Sequence, residues 1–322
     1  LSTDEGRRLL EDIAAMGTKL VVLTGGDPAK RSDLVPLVAH GVRLGLTMAL
    51  TPSGTSLTTR PLLEQLASAG LSRLAVSIDG PDATTHDEFR RVAGSFGESM
   101  RILEEARSIG LSTQINTTLS PLNIGMIPAM AQLVEQLSAV LWSVFLVVPT
   151  GRADAKLLLT ADEVEDALHQ LADVADRAAY GVKTTAAPHF RRVLLERKAK
   201  QEIIGLYDVL DPTGPHRLSI NDGAGFVFIS HKGDICPSGF LPTPTGNVRH
   251  DSLAQVYRNH PLFVHLRDTS ALGGKCGVCP FRRVCGGSRA RAYAMTGDAM
   301  AADPLCAYVP REWAELEAKA DR

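Results

Sequence analysis

Short apolar runs alternate with stretches of helical periodicity through the first 180 residues. A helical stretch at Asp4–Met16 precedes the run Lys19–Leu23, which ends in Thr24-Gly25-Gly26-Asp27-Pro28. The order then repeats. Helix Asp33–His40 leads to strand Leu44–Leu50, closed by Thr51-Pro52-Ser53-Gly54-Thr55. Helix Arg60–Ala69 leads to strand Arg73–Ile78, closed by Asp79-Gly80-Pro81. Helix Phe96–Ile109 leads to strand Thr113–Thr118, which contains Asn116. Helix Gly125–Ser138 leads to strand Leu141–Val148, followed by Pro149-Thr150-Gly151-Arg152. A last helix, Thr160–Ala179, opens with Thr160 and Glu163 at capping-box spacing. Strands that are short continuous apolar runs are expected where both faces are covered. Strict alternation of such strands with helices predicts right-handed βαβ units and a parallel sheet or barrel.

In parallel α/β folds, ligand chemistry collects at the C-terminal strand ends. Each of these strands ends in a polar or Gly/Pro cluster. Gly25-Gly26 leaves backbone polar groups free of side-chain obstruction. Asp79 and Asn116 are polar ends of apolar strands, and each alone is compatible with a turn cap. Several such ends together point to a site. Beyond residue 180 the pattern changes. Phe190–Lys200 (FRRVLLERKAK) reads as a basic helix with a solvated face. Residues 211–217, DPTGPHR, read as a linker. Gly225–Ser230, a turn at His231–Asp234, and Ile235-Cys236 read as a hairpin. Pro310 precedes a final helix, Arg311–Lys319.

Composition excludes several classes. The 322 residues are 44% hydrophobic and 22% charged, ordinary for a globular protein with a real core. A net charge of −2 argues against a duplex nucleic-acid binder. The longest apolar stretch, Val140–Pro149, is interrupted by Ser143 and is about half the roughly 20 residues of a membrane helix. With no secretory apolar region either, a cytoplasmic location is expected. The sequence opens on Leu-Ser-Thr-Asp-Glu-Gly, without Met, at a helix start that Ser2 or Thr3 caps. It reads as a piece of a longer protein.

The cysteines sharpen the picture. There are five, and none precedes Cys236. Cys276, Cys279, Cys285 and Cys306 follow the spacing C-x2-C-x5-C-x20-C. A local pair two residues apart, joined by two returning thiolates, closes a metal site. An odd count and the lack of a signal peptide weigh against disulfides. A four-cysteine zinc site and an iron–sulfur cluster both remain open on spacing alone.

The segment from Cys276-Gly-Val-Cys279 through Cys285-Gly-Gly-Ser288-Arg-Ala-Arg-Ala-Tyr293 and Gly297-Asp298 to Asp303-Pro304-Leu-Cys306 resembles the SPASM-type auxiliary-cluster domain of radical S-adenosylmethionine enzymes. Gly233-Asp-Ile-Cys236-Pro and Gly246-Asn247-Val248-Arg249 resemble its opening. Thr24-Gly25-Gly26-Asp27-Pro28 resembles the family's GGE motif. Ser77-Ile78-Asp79-Gly80, Asn116-Thr117-Thr118 and Pro149-Thr-Gly151-Arg152-Ala153 are similar to its later strand ends.

The resemblance implies an α/β fold: a partial (β/α)6 TIM-like barrel lacking its first strand, with a small Cys-rich C-terminal auxiliary-cluster domain. The expected boundaries are 1–180 for the barrel, 181–224 for a connecting helix and linker, and 225–322 for the SPASM-like domain. It implies a 4Fe–4S cluster that reduces S-adenosylmethionine to a 5′-deoxyadenosyl radical, which abstracts hydrogen from a peptide or tetrapyrrole-like substrate. Gly25, Gly26 and Asp27 are implied at the methionyl end of the cofactor. Thr51 and Ser53 are candidates for its carboxylate. Ser77, Asp79 and Asn116 are implied toward ribose. Cys276, Cys279, Cys285 and Cys306 are implied as ligands of one auxiliary 4Fe–4S cluster, with a reductant such as flavodoxin or ferredoxin as partner.

Three departures stand out. No CxxxCxxC occurs in the sequence, so the radical-generating cluster is expected on residues upstream of Leu1. The motif reads GGD, one methylene shorter at Asp27. Ser288 stands where two-cluster members commonly carry Cys, which implies a single auxiliary cluster, with Cys236 as a buried thiol or a weak extra ligand. Arg289 and Arg291 either offset cluster charge, pair with Asp298 and Asp303, or are surface residues. The alternative from another class is a non-catalytic barrel with a four-cysteine zinc module.

Overall fold

The computed structural model describes residues 1–151, 155–202 and 220–320. Six parallel strands form one sheet in chain order: β1 Leu20–Leu23, β2 Thr47–Leu50, β3 Arg73–Ser77, β4 Thr113–Leu119, β5 Leu141–Leu146 and β6 Gly181–Thr185. Each strand pairs in parallel with the next. The sheet stays open between β1 and β6, as a partial barrel does. Helices α1 Thr3–Ala15, α2 Leu34–Arg43, α3 Arg60–Ser68, α4 Ala83–Arg90, α5 Ser95–Ser108, α6 Ile127–Gln136 and α7 Ala161–Ala175 precede or connect the strands.

The helix-facing side of the sheet is apolar. Leu74, Val76, Ile78, Ile115, Trp142, Val144 and Leu146 lie in one buried core. The alternate positions face the lumen and on β3, β4 and β5 include the polar or small Ala75, Ser77, Gln114, Asn116 and Ser143 beside the larger Phe145. Ser77, Asn116 and Ser143 stand side by side in register on β3, β4 and β5. The lumen side is covered as well, with Ala75, Asn116 and Ser143 buried, but it is not an apolar face.

All five expected strands form. The second is shorter than Leu44–Leu50 because α2 runs to Arg43 and Gly45 turns with φ +79°. The sixth strand, Gly181–Thr185, was not expected. Its sequence GVKTT has no apolar run, although its β-branched residues suit a strand. Helix α4 was also missed. It is short and polar, and starts where Asp82 accepts a hydrogen bond from the Thr85 N–H. The capping box at Thr160 and Glu163 forms as read, and a second one forms at Ser2 and Glu5. Glu5 also pairs with Arg249, at 2.6 Å, which holds its carboxyl down at about 2 and ties α1 to the C-terminal region.

The C-terminal region carries the expected hairpin, β7 Phe228–Ile229 with β8 Asp234–Cys236, and adds β9 Gly246–Asn247. Helices α8 His189–Glu202, α9 Leu253–Asn259, α10 Pro261–Arg267, α11 Gly274–Gly277, α12 Arg289–Thr296 and α13 Arg311–Ala320 complete it. The linker read at 211–217 lies outside the described residues, as do Arg152 and Ala153 of the Pro149–Ala153 motif. Helix α8 is not a solvated basic helix. Phe190, Arg192 and Val193 are all buried. Arg192 pairs with Glu165 of α7 and with Glu196, and its guanidinium lies 5.0 Å from the Tyr308 ring centre. The charge count of the segment concealed partners that arrive from elsewhere in the chain.

Trp142 is the largest fully buried side chain, and its indole N–H donates to Thr117 Oγ1 at 2.9 Å. Replacing it, Trp142→Ala, is expected to cost about 3–5 kcal/mol in urea denaturation. A loss below about 1 kcal/mol, the range of surface substitutions, would contradict this placement of the core.

Candidate functional site

Two groups of polar residues gather at the C-terminal ends of the strands. The first follows β1 and β2. Gly25 and Gly26 both adopt positive φ, +78° and +42°, which glycine accepts without strain. A Cβ on either would meet no atom within 4 Å, so the loop presents open backbone to a ligand. Asp27 does not reach outward. Its carboxylate accepts from the Ala29 N–H at 3.1 Å and from Thr55 Oγ1 at 2.7 Å, with the Ser53 N–H at 3.5 Å. Ser53 Oγ donates to the Gly26 carbonyl at 2.7 Å. Thr51 joins through its N–H, bonded to the Leu23 carbonyl. The structure thus brings Gly25, Gly26, Asp27, Thr51 and Ser53 into one cluster. It adds Thr55, whose only sequence signal was its place in the same polar run.

The second group lines the lumen. Ser77 and Asn116 are register partners, and Asn116 Oδ1 accepts from Gln114 Nε2 at 2.7 Å. Ser143 stands next in the same row. Its signal in the sequence was its interruption of the longest apolar run.

Asp79 does not join them. Its side chain has no exposure, and both carboxylate oxygens are engaged: one by Arg90 Nε, the other by the Thr118 N–H at 2.7 Å. Its own N–H donates to His86 Nδ1 at 3.0 Å. Burial raises the Asp79 carboxyl despite Arg90 and the Thr118 bond. Burial, helped by Arg90, pulls His86 down to about 4 and keeps the ring neutral. Asp79 therefore fastens the end of β3 to α4 and β4.

The four late cysteines converge. Cys276, Cys279, Cys285 and Cys306 line one cavity, joined by His189 and Arg192 of α8 and by Tyr308. Among the described residues, no three Cys, His, Asp or Glu side chains are drawn together as a site for a single ion. Gly286 and Gly287 turn with φ +68° and +64°, and a Cβ on Gly287 would lie 2.5 Å from Arg289 Nη2. That close approach brings the Gly287 N–H to 3.4 Å from Cys285 Sγ. Arg289 and Arg291 are buried, not surface residues. Arg289 donates to the carbonyls of Ala299 and Ala301 and places Nη2 at 4.0 Å from Cys276 Sγ. Arg291 pairs with Asp303. Burial pushes the Cys279 thiol up to about 12, and raises Cys285 and Cys306 as well. A metal loaded here must displace protons. Cys236 lies on β8 as a buried thiol and does not line the cavity.

Asp79→Asn separates the two roles open to this residue. The expected result is a stability loss of about 2–3 kcal/mol, under the range of a wholly buried pair because Arg90 reaches solvent, with S-adenosylmethionine affinity unchanged. Chemical denaturation and cofactor titration of the full-length protein measure both. Weakened cofactor binding at unchanged stability would return Asp79 to the ligand site.

A family model described as the Radical SAM superfamily matches residues 1–134. The chain is 40% identical over 317 residues to a protein named AdoMet-dependent heme synthase from Oleidesulfovibrio alaskensis, covering 97% of this chain and 80% of that one. It is 30% identical over 319 residues to a PqqA peptide cyclase from Rhodopseudomonas palustris, covering 96% and 79%. Among solved structures, Streptococcus suis SuiB bound to S-adenosylmethionine matches with a TM-score of 0.72 at 17% identity, over 95% of this chain and 70% of that one. At that identity the likeness speaks for the fold alone, and the fold agrees with the half-barrel described above. With two residues in five shared over nearly its whole length with one such enzyme, the protein belongs to the radical S-adenosylmethionine superfamily of enzymes.

Proposed function

We propose that the protein is a radical S-adenosylmethionine oxidoreductase or maturase that acts on a tetrapyrrole-like substrate. We further propose that it carries one auxiliary 4Fe–4S cluster on Cys276, Cys279, Cys285 and Cys306. The observation that carries the cluster is the convergence of these four sulfurs on a single cavity. Four thiolates around one space suit a zinc or a cluster, and the family assignment favours the cluster. The reading as a non-catalytic scaffold falls with the family assignment. The tetrapyrrole rests on the heme synthase relative. A peptide is the second reading, supported by the peptide cyclase at lower identity.

Bound S-adenosylmethionine, cleaved reductively, supplies the radical that takes hydrogen from the substrate. This chain's residues shape the place where that happens. Gly25 and Gly26 offer open backbone to the methionyl end, and Asp27, Ser53 and Thr55 hold that loop in shape. Thr51 and Ser53 are assigned to the carboxylate side, and Ser77 and Asn116 to the ribose. Asp79 supports them from behind. The shorter Asp27 is no loss in this arrangement, because its carboxylate is turned into the loop and the backbone makes the approach. Four cysteine ligands leave no open iron for the substrate, which favours electron transfer or a structural role for the auxiliary cluster. A flavodoxin or ferredoxin would serve as reductant.

The test uses the full-length protein under anaerobic conditions with S-adenosylmethionine and dithionite. An iron porphyrin bearing carboxylate side chains is expected to raise 5′-deoxyadenosine release and to be altered in mass. Stimulation by a peptide alone would move the assignment to the second reading. No 5′-deoxyadenosine under any condition would overturn both.

A further inference from the structure

Arg192 of α8 lines the cavity of the four cysteines, and its side chain is only 3% exposed. Its two terminal nitrogens are taken. Nη2 holds Glu165, and Nη1 holds Glu196 at 2.7 Å. Its Nε–H is shut off from solvent and has no partner among the described residues. Leaving a buried donor without an acceptor costs about 1–3 kcal/mol, and more in a charged group. The other cations on the cavity wall differ. The Lys275 ammonium donates to the Cys306 carbonyl, and Arg282 is exposed. His189 Nδ1 is also without a partner. With Nε2 beside the Asp303 carboxylate at 3.0 Å, however, a neutral ring keeps its proton there and Nδ1 has none to give.

The sulfurs are unevenly supplied with donors. Cys276 Sγ has Arg289 Nη2 at 4.0 Å, and Cys285 Sγ has the Gly287 N–H at 3.4 Å. Cys306 Sγ faces the Tyr308 carbonyl at 3.9 Å, an acceptor of no use to a thiolate. Arg192 stands on that side. Its guanidinium lies 5.0 Å from the ring centre of Tyr308, two residues past Cys306. A permanent cation with a spare, sheltered hydrogen thus borders a cavity of four prospective thiolates, which fits an anionic cluster.

We propose that Arg192 Nε–H donates to a sulfur on the Cys306 side of the auxiliary cluster and raises its reduction potential. Reduction adds one negative charge, and a hydrogen bond to sulfur with a fixed cation behind it favours the reduced form. Glu165 and Glu196 reach solvent and are screened more than the guanidinium they hold. This role rests on the cluster proposed above.

The test is a redox titration followed by electron paramagnetic resonance, on full-length wild type, Arg192→Gln, Arg192→Lys and Glu165→Gln. The auxiliary signal is the one that a Cys276→Ser, Cys279→Ser variant lacks. Arg192→Gln is expected to lower the equilibrium constant for one-electron reduction about tenfold, which is about 59 mV. Arg192→Lys keeps the charge without an N–H at that position, so a smaller lowering is expected. It decides the question if Arg192→Gln holds no cluster. Glu165→Gln removes an ion-pair partner but not the donor, so it should melt lower yet titrate no lower than wild type. A wild-type midpoint in each Arg192 variant that holds a cluster overturns the role. So does a Glu165→Gln midpoint as low as that of Arg192→Gln, which would trace the shift to loosened packing. A wild type without the auxiliary signal overturns the cluster and this role with it, whereas an intact signal with an unmoved midpoint overturns this role alone.

Discussion

Asp303 is a carboxylate without contact with water, and the join between the half-barrel and the cysteine cavity depends on it. Arg291 holds both its oxygens, at 2.9 and 2.7 Å, and is itself fully buried. His189 Nε2, at the start of α8, stands 3.0 Å away. The Ser288 N–H donates to it at 2.6 Å and the Leu305 N–H at 3.1 Å. Burial alone would raise the Asp303 carboxyl, but Arg291 and His189 outweigh it and hold it well below the usual range. Arg291 uses another nitrogen to reach the Ala186 carbonyl, directly after β6. A charge this enclosed tolerates few arrangements of its partners. It therefore fixes the end of the sheet, the start of α12 and the loops carrying Cys285 and Cys306 relative to one another.

The same join places the two chemical regions. Phe240 of the C-terminal region packs edge-on against Phe145, a lumen-facing residue of β5, with ring centres 6.4 Å apart. The C-terminal region thus borders the lumen, and the cysteine cavity is walled on one side by His189 and Arg192 of α8. The lumen keeps a polar row at Ser77, Asn116 and Ser143, which Lys183 extends onto β6. The glycine loop after β1 stays open. Polar groups inside a barrel are costly unless partnered, so a lumen of this character is built to be filled.

Much of this was legible in the sequence because its signals are local. Short continuous apolar runs alternating with period-3.6 stretches gave five strands and most of the helices, and cap chemistry gave the start of α7. The cysteine spacing led to the cavity because a metal centre needs its ligands by type and distance along the chain. What stayed hidden was set by distant partners. Arg192 looks solvated until Glu165 and Tyr308 are brought to it. Asp79 looks like a free strand end until Arg90 and Thr118 take both its oxygens. Strand β6 has no apolar run because its lumen face is polar and its helix face offers little more than Val182.

Iron and sulfide analysis with Mössbauer spectroscopy, on anaerobically reconstituted wild type and a Cys276→Ser, Cys279→Ser double variant, tests the central claim most directly. A chain of these 322 residues should hold about four irons and four sulfides with the signature of one cubane cluster, and the double variant should hold none. A colourless wild-type chain that binds a single zinc, or iron that survives the double substitution, would contradict the account.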